Sequence, residues 1–412
     1  MKRIVLLIVL VTLVSTASLS AQTAKPEDVG LSFERLKRIH NLIERRIETR
    51  DISGAVTLVA RKGKVAHFEA QGLMDIETNK PMAKDAIFRI ASMTKPIIGV
   101  AVLMMIEEGK VRLTDPVSKF IPEFKELKVA VVQPSQGQAG ARDAAPRFYT
   151  VPAEREITIK DLLTHTSGLV SGTISTAEAA KLQRKPGDTL ADYIPRLGQV
   201  PLEFQPGSRW TYSPGAGFDT LGRVVEIVSG QKIDQFLRLR IFEPLGMKDT
   251  FFNISDAQRS RAATMYQKTA SGLQKSPNQP AANTTYYSGG GGLSSTADDY
   301  VRFAQMLVNG GQLNGKRLLS PRTVELMGSP YAPDTLPGRA RGEAWGLSVR
   351  VITDAVARNT SLSKGSFGWQ GAFGTHFWVD PKEKLIGLLM VQTSNQEMIR
   401  DFENAVLQSI VE

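Results

Sequence analysis

Phe88-Arg89-Ile90-Ala91-Ser92-Met93-Thr94-Lys95 leads into Ile97-Ile98-Gly99-Val100-Ala101-Val102-Leu103-Met104-Met105-Ile106. The second stretch is apolar on nearly every side, as a helix at the centre of a large core must be. Pro96 falls near its first turn, where proline is tolerated, and Gly109 ends it. The first stretch contains an S-x-x-K. On a helix, residues i and i+3 share a face, so the Lys95 amine can reach the Ser92 hydroxyl. A serine hydroxyl is a weak nucleophile at neutral pH and needs a partner. A lysine taken out of water loses proton affinity and can act as that base. The start of a helix also offers unpaired N–H groups and a favourable dipole to a developing oxyanion.

The pattern alone is weak, since about one or two S-x-x-K matches are expected by chance in such a chain. Two others occur, Ser229-Gly230-Gln231-Lys232 and Ser361-Leu362-Ser363-Lys364. Ser229 ends a predicted helix beside Gly230, and Ser361 lies in a predicted loop between Asn359-Thr360 and Gly365. Ser92 alone precedes a buried helix, although on this motif by itself an ordinary helix cap explains it equally well. No serine sits in a G-x-S-x-G frame.

Outward from this segment, β-rich runs lie toward both ends of the sequence. Ala55–Ala60 and Val65–Ala70 read as a hairpin across Gly63. Trp345–Ile352, Thr375–Val379 and Leu385–Val391 read as three more strands. Ser32 caps a helix in which Phe33, Leu36, Ile39, Ile43 and Ile47 recur at helical spacing, and Phe402–Val411 reads as a closing helix. Between them, Ile97–Glu108, Thr176–Gln183, Leu190–Leu197, Phe218–Val228, Ile233–Leu239 and Ala297–Leu307 look helical. The pattern is an α/β body built from both chain ends around a helical insert. The α/β part is expected at about residues 28–96 and 286–411, and the helical part at about 97–285. Pro134–Pro152 and Ser329–Gly342 read as surface loops.

Composition excludes several chemistries. The 412 residues include no cysteine and four histidines. Thiolate catalysis and disulfides are absent, and no H-E-x-x-H zinc pattern occurs; no metal or cofactor is implied. The formal net charge is +10, from 51 basic and 41 acidic residues. The excess is spread out, with neither the stripe nor the motif of a nucleic-acid binder. Met1-Lys2-Arg3, the apolar run Ile4–Val14 and the small residues Ser18, Ser20 and Ala21 form a secretory leader over residues 1–21. The protein is therefore expected to be exported, to the periplasm or the exterior, with no membrane span once the leader is cut.

The segment around Ser92 resembles the first signature of the serine β-lactamase and penicillin-binding-protein superfamily. The branch it looks like holds class C β-lactamases, D-alanyl-D-alanine carboxypeptidases and family VIII carboxylesterases. Gly109–Val117, Ile157–Leu169, Pro206-Gly207, Trp210-Thr211-Tyr212-Ser213, Pro244–Met247 and Gly291–Thr296 match further landmarks in family order, over about residues 28–410. The resemblance implies an antiparallel sheet flanked by helices, with Ser92 as acylated nucleophile, Lys95 as partner base and Tyr212 as proton shuttle. A neighbouring ammonium is expected to lower the phenol's pKa, and either Lys95 or Tyr212 could take the first proton. Pro214 replaces an asparagine common in the family, so an amide that helps hold the lysine is missing.

The third signature, usually Lys-Thr-Gly or His-x-Gly, corresponds to Trp369-Gln370-Gly371. Trp369 stands where a cation would pair with the carboxylate of a β-lactam or a peptide ending in D-alanine. It offers an apolar wall and one N–H donor instead, as in family VIII carboxylesterases. Gly371 is expected to let a substrate approach the backbone. By position, the Ala372 and Ser92 N–H groups form an oxyanion hole. His165 is expected to be structural. The reading is an exported serine hydrolase acting on a small-molecule ester or amide, foremost a carboxylesterase on short-chain esters. The alternatives are a β-lactamase or D-alanyl-D-alanine carboxypeptidase, and a non-catalytic penicillin-recognising or cell-wall-binding protein.

Overall fold

Gly54–Arg61 (β1) is buried along its whole length, and its alternating side chains serve two different cores. Val56, Leu58 and Ala60 enter one apolar cluster, whereas Ala55 and Val59 enter another. A strand can bury both faces only at the middle of a sheet covered on both sides. In this computed structural model, which describes residues 23–133, 146–277, 279 and 283–412, that is where β1 lies. The leader at 1–21 falls outside the described residues.

β1 pairs on one side with Lys64–Asp75 (β2), which continues to Lys80–Pro81 (β3). On the other side it pairs with strands from the far end of the chain: Glu343–Trp345 (β4), Arg350–Ile352 (β5), Phe367–Gln370 (β6), His376–Asp380 (β7) and Leu385–Met390 (β8). The resulting eight-stranded antiparallel sheet has the order β4-β5-β6-β7-β8-β1-β2-β3. Phe33–Glu48 (α1) and Gln396–Leu407 (α5) cover one face, and Thr94–Glu107 (α2) and Ala297–Val308 (α4) the other. The chain is thus a mixed α/β fold with a large antiparallel sheet flanked by helices. Among the described residues no helix is long and apolar enough to cross a membrane.

Among the elements that differ from the sequence expectation, three are informative. Trp345–Ile352 is not one strand but the arms of a hairpin, β4 and β5, turned at Ser348 with φ +78°. The last helix begins at Gln396, capped by the Asn395 side chain, six residues before the expected Phe402. Polar residues in its first turn hid that start from a pattern search, although Met398 and Ile399 are buried. The segment read as a loop at Pro134–Pro152 ends in a strand, Phe148–Pro152, paired with Lys128–Val132; residues 134–145 lie outside the described part. Ser32 does cap α1, accepting from the Arg35 N–H at 3.3 Å. Phe33, however, is 57% exposed, and Leu42 takes its place in the buried stripe.

Candidate active site

Ser92 lies in a short 3-10 turn, Ala91–Met93, immediately before α2. Ala91 is turned into the left-handed region at φ +43°, a conformation that costs a non-glycine residue roughly 1 kcal/mol or more. The strain is held by bonds on both sides. The Ile90 N–H donates to the Leu293 carbonyl at 3.1 Å, and the Tyr300 hydroxyl, from α4, donates to the Met93 carbonyl at 2.9 Å. The Ser92 N–H has no hydrogen-bond partner among the described residues.

Lys95, in the first turn of α2, is wholly buried. Its Nζ lies 3.1 Å from Ser92 Oγ and 2.6 Å from each of the Pro214 and Gly290 carbonyl oxygens. The missing asparagine side chain is therefore replaced in this role by main-chain oxygens. Two carbonyls engage two N–H bonds, so an uncharged amine turns its lone pair toward Ser92. Burial lowers the Lys95 pKa to about 7, against the opposing pull of Asp219.

Tyr212 donates its hydroxyl proton to Ser92 Oγ at 2.7 Å, and its oxygen accepts the Trp369 indole N–H at 3.2 Å. Burial raises the Tyr212 pKa, overcoming the downward pull of the hydrogen bonds with Ser92 and Trp369. The expected lowering by the lysine charge is overruled, because the phenol is desolvated. Its ring sits tilted between Trp369 and His165, with centroids at 5.4 and 4.6 Å.

His165 is buried and positions this segment. Its Nδ1 accepts the Ser213 N–H at 3.1 Å, and its carbonyl accepts the Thr211 N–H at 3.1 Å. Burial, with help from the Lys95 and Arg339 charges, holds its pKa well below the usual imidazole range, so it is neutral. Trp369 also meets Trp345 edge-on at 4.4 Å, and Trp345 anchors its indole N–H on the Leu163 carbonyl at 3.0 Å.

The turn after β6 is docked on the segment just before the nucleophile. A Cβ on Gly371 would lie 2.5 Å from the Ile90 carbonyl oxygen and against the Thr375 hydroxyl. The approach of Ile90 and Thr375 already requires glycine there. The Ala372 N–H, like that of Ser92, has no partner among the described residues.

Sequence reading overlooked Asp219. It is 6% exposed, on Ala216–Ser229 (α3). Its carboxylate accepts from the Gly290 N–H at 2.8 Å, the Ser288 hydroxyl at 2.7 Å and the Tyr286 hydroxyl at 2.8 Å. It thereby pins the segment whose Gly290 carbonyl holds Lys95. An acidic residue between Phe218 and Leu221, in a helix whose first seven residues hold no other charge, was the available sign.

The sheet, the covering helices and this serine site define a class, the β-lactamase-fold serine hydrolases. The chain belongs to the Beta-lactamase family, whose profile matches residues 39–411. It is 38% identical over 361 residues to an uncharacterized protein of Mycobacterium tuberculosis, covering 83% of this chain and 86% of that one. It is 29% identical over 401 residues to esterase EstB of Burkholderia gladioli, covering 88% and 91%. The solved structure of EstCE1, described as a hydrolase with promiscuous acyltransferase activity, superimposes with a TM-score of 0.75 at 26% identity, covering 91% and 99%.

Proposed function

We propose that this protein is an exported carboxylesterase that cleaves small or short-chain esters through an acyl-enzyme on Ser92. The observation that carries the reading is the place of the Trp369 indole. Where a β-lactam or D-alanyl peptide would bring its carboxylate, the site offers an apolar ring whose one N–H is already given to Tyr212. A carboxylate desolvated against that wall would lack a partner, whereas an ester needs none. The resemblance to esterase EstB supports the same substrate class.

In the proposed reaction, uncharged Lys95 takes the Ser92 proton as Oγ bonds to the ester carbonyl carbon. The Ser92 and Ala372 N–H groups receive the negative charge that forms on the carbonyl oxygen. The bond from carbonyl carbon to alkoxy oxygen then breaks. The alcohol leaves with the proton that Ser92 gave up, passed on through Lys95 and Tyr212. Water repeats the sequence on the acyl-enzyme, releases the acid and returns the proton to Ser92.

The test is turnover of p-nitrophenyl acetate and butyrate beside a chromogenic cephalosporin, with Ser92→Ala as control. Ester turnover that disappears in Ser92→Ala is expected. Ester turnover that persists in that variant would overturn the mechanism. Fast cephalosporin turnover with negligible ester turnover would overturn the esterase assignment in favour of a β-lactamase or peptidase. No covalent labelling of Ser92 by a fluorophosphonate would favour a non-catalytic binding protein. Export is checked by the N-terminal sequence of the secreted chain, expected to begin near Ala21 or Gln22.

A further inference from the structure

We infer that Asp219 is the positioning residue of this site: it holds the Gly290 carbonyl on Lys95 and supplies the negative charge that balances the ammonium Lys95 becomes when it takes the Ser92 proton. The inference rests on the proposed Ser92–Lys95 chemistry and extends it to a residue that touches neither substrate nor nucleophile.

The geometry gives two linked reasons. The first is mechanical. Tyr286, Ser288 and Gly290 all donate to one carboxylate, and the Gly290 carbonyl turns the other way to accept from Lys95 at 2.6 Å. The strap has little freedom to hold that position otherwise. A Cβ on Gly290 would lie 2.6 Å from Gly215 Cα and 2.9 Å from its carbonyl, so the segment lies directly on the start of α3. One residue thus joins carboxylate to amine, the Gly290 N–H facing Asp219 and its C=O facing Lys95.

The second reason is electrostatic. Acylation turns a buried amine into a buried ammonium, which is unfavourable without a nearby opposite charge. The groups facing Lys95 are Tyr212, Phe218, His165 and Asp219. Tyr212 is kept protonated by burial and His165 is kept neutral. Asp219 itself faces Tyr286, whose phenol burial holds protonated, with Tyr193 and the Arg184 guanidinium behind that ring. Among these groups Asp219 is the only anion that can oppose the new charge. Its three donors and Lys95 work against the burial that raises its own pKa.

Acylation needs uncharged Lys95, so its rate rises with pH through the Lys95 pKa. Asp219 raises that pKa. Removing its charge should therefore move the acid limb downward while making Lys95 a weaker base. The experiment measures the second-order rate of Ser92 labelling by a fluorophosphonate between pH 4.5 and 9, for the native chain, Asp219→Asn and Tyr286→Phe. Asn keeps the side chain's size and loses the charge. The expected result is a limb about one pH unit lower and a plateau about tenfold lower in Asp219→Asn. Tyr286→Phe removes a donor that lowers the Asp219 pKa, so less of Asp219 is ionised and the limb should shift in the same direction by less; it keeps the test open should the Asn variant not fold. An unmoved limb in both variants would overturn the electrostatic role, whatever the plateau. Failure of the native chain to label would instead refute the Ser92 chemistry beneath it, so the two failures are distinguishable.

Discussion

At the scale of single residues, the lysine is the centre of the site. With two N–H bonds on the Pro214 and Gly290 carbonyls, Lys95 has its remaining valence directed at Ser92. Burial brings its pKa to about 7, so below that pH a growing fraction is protonated and cannot act as base. The Ser92 labelling rate of the native chain is therefore expected to fall about tenfold per pH unit well below 7 and to level off above it. A rate flat from pH 5 to 8 would rule out Lys95 as the first base. Trp369→Lys is expected to shift the ratio of turnover on a carboxylate-bearing cephalosporin to that on p-nitrophenyl butyrate upward by about tenfold. An unchanged ratio would show that the indole does not set the preference. Ser92 and Lys95 could be singled out from residue type, spacing and the buried helix that follows, and Tyr212 and Trp369 only through the family resemblance of the segments around them. The two carbonyls that hold Lys95 could not, since a main-chain oxygen leaves no mark in the sequence. Asp219 fell between the two cases: its side chain is conspicuous, but its partners are 67 to 71 residues away.

At the scale of elements, the short connections decide the geometry. β1, α2 and α3 were legible because their apolar patterns run over two turns or more, or over a full strand. The hairpin of β4 and β5 was not, because three-residue strands on either side of a turn read as one run. The turn after β6 shows what such a connection does. The Gly371 N–H donates to the Thr375 carbonyl at 2.7 Å, and the turn rests on Ile90, two residues before the nucleophile. Gly371→Ala would insert a methyl 2.5 Å from the Ile90 oxygen, and the turn must move to admit it. A displacement near 1 Å at a reacting centre costs about 10²-fold in rate. Labelling of Ser92 is expected to slow by about that factor while the far-UV circular dichroism stays native. Native-rate labelling would show that the turn does not position the site.

At the scale of the whole molecule, the sheet separates the chemistry from much of the stability. The site stands on the face covered by α2 and α4, and Trp369 packs against that cluster. The opposite face is a second core in which α1 and α5 close over Val59, Trp378 and Leu389. Phe402, fully buried on α5, meets Trp378 edge-on at 5.7 Å. Replacing it by alanine removes a ring that the surrounding helices cannot collapse to fill, and such a change costs about 3–5 kcal/mol. A loss of that size lowers the urea midpoint substantially. The strands between this core and Ser92 are hydrogen-bonded on both edges and need not shift to accept the void. Phe402→Ala is therefore expected to melt earlier and yet, per folded molecule at 15 °C, to label at Ser92 within about twofold of the native rate. The contrast with Gly371→Ala is the discriminating measurement: one variant should lose stability and keep its chemistry, and the other should lose chemistry and keep its fold. If Phe402→Ala also slowed labelling by an order of magnitude in the folded state, the two faces of the sheet would have to be mechanically coupled. The separation of roles between the two clusters would then be wrong.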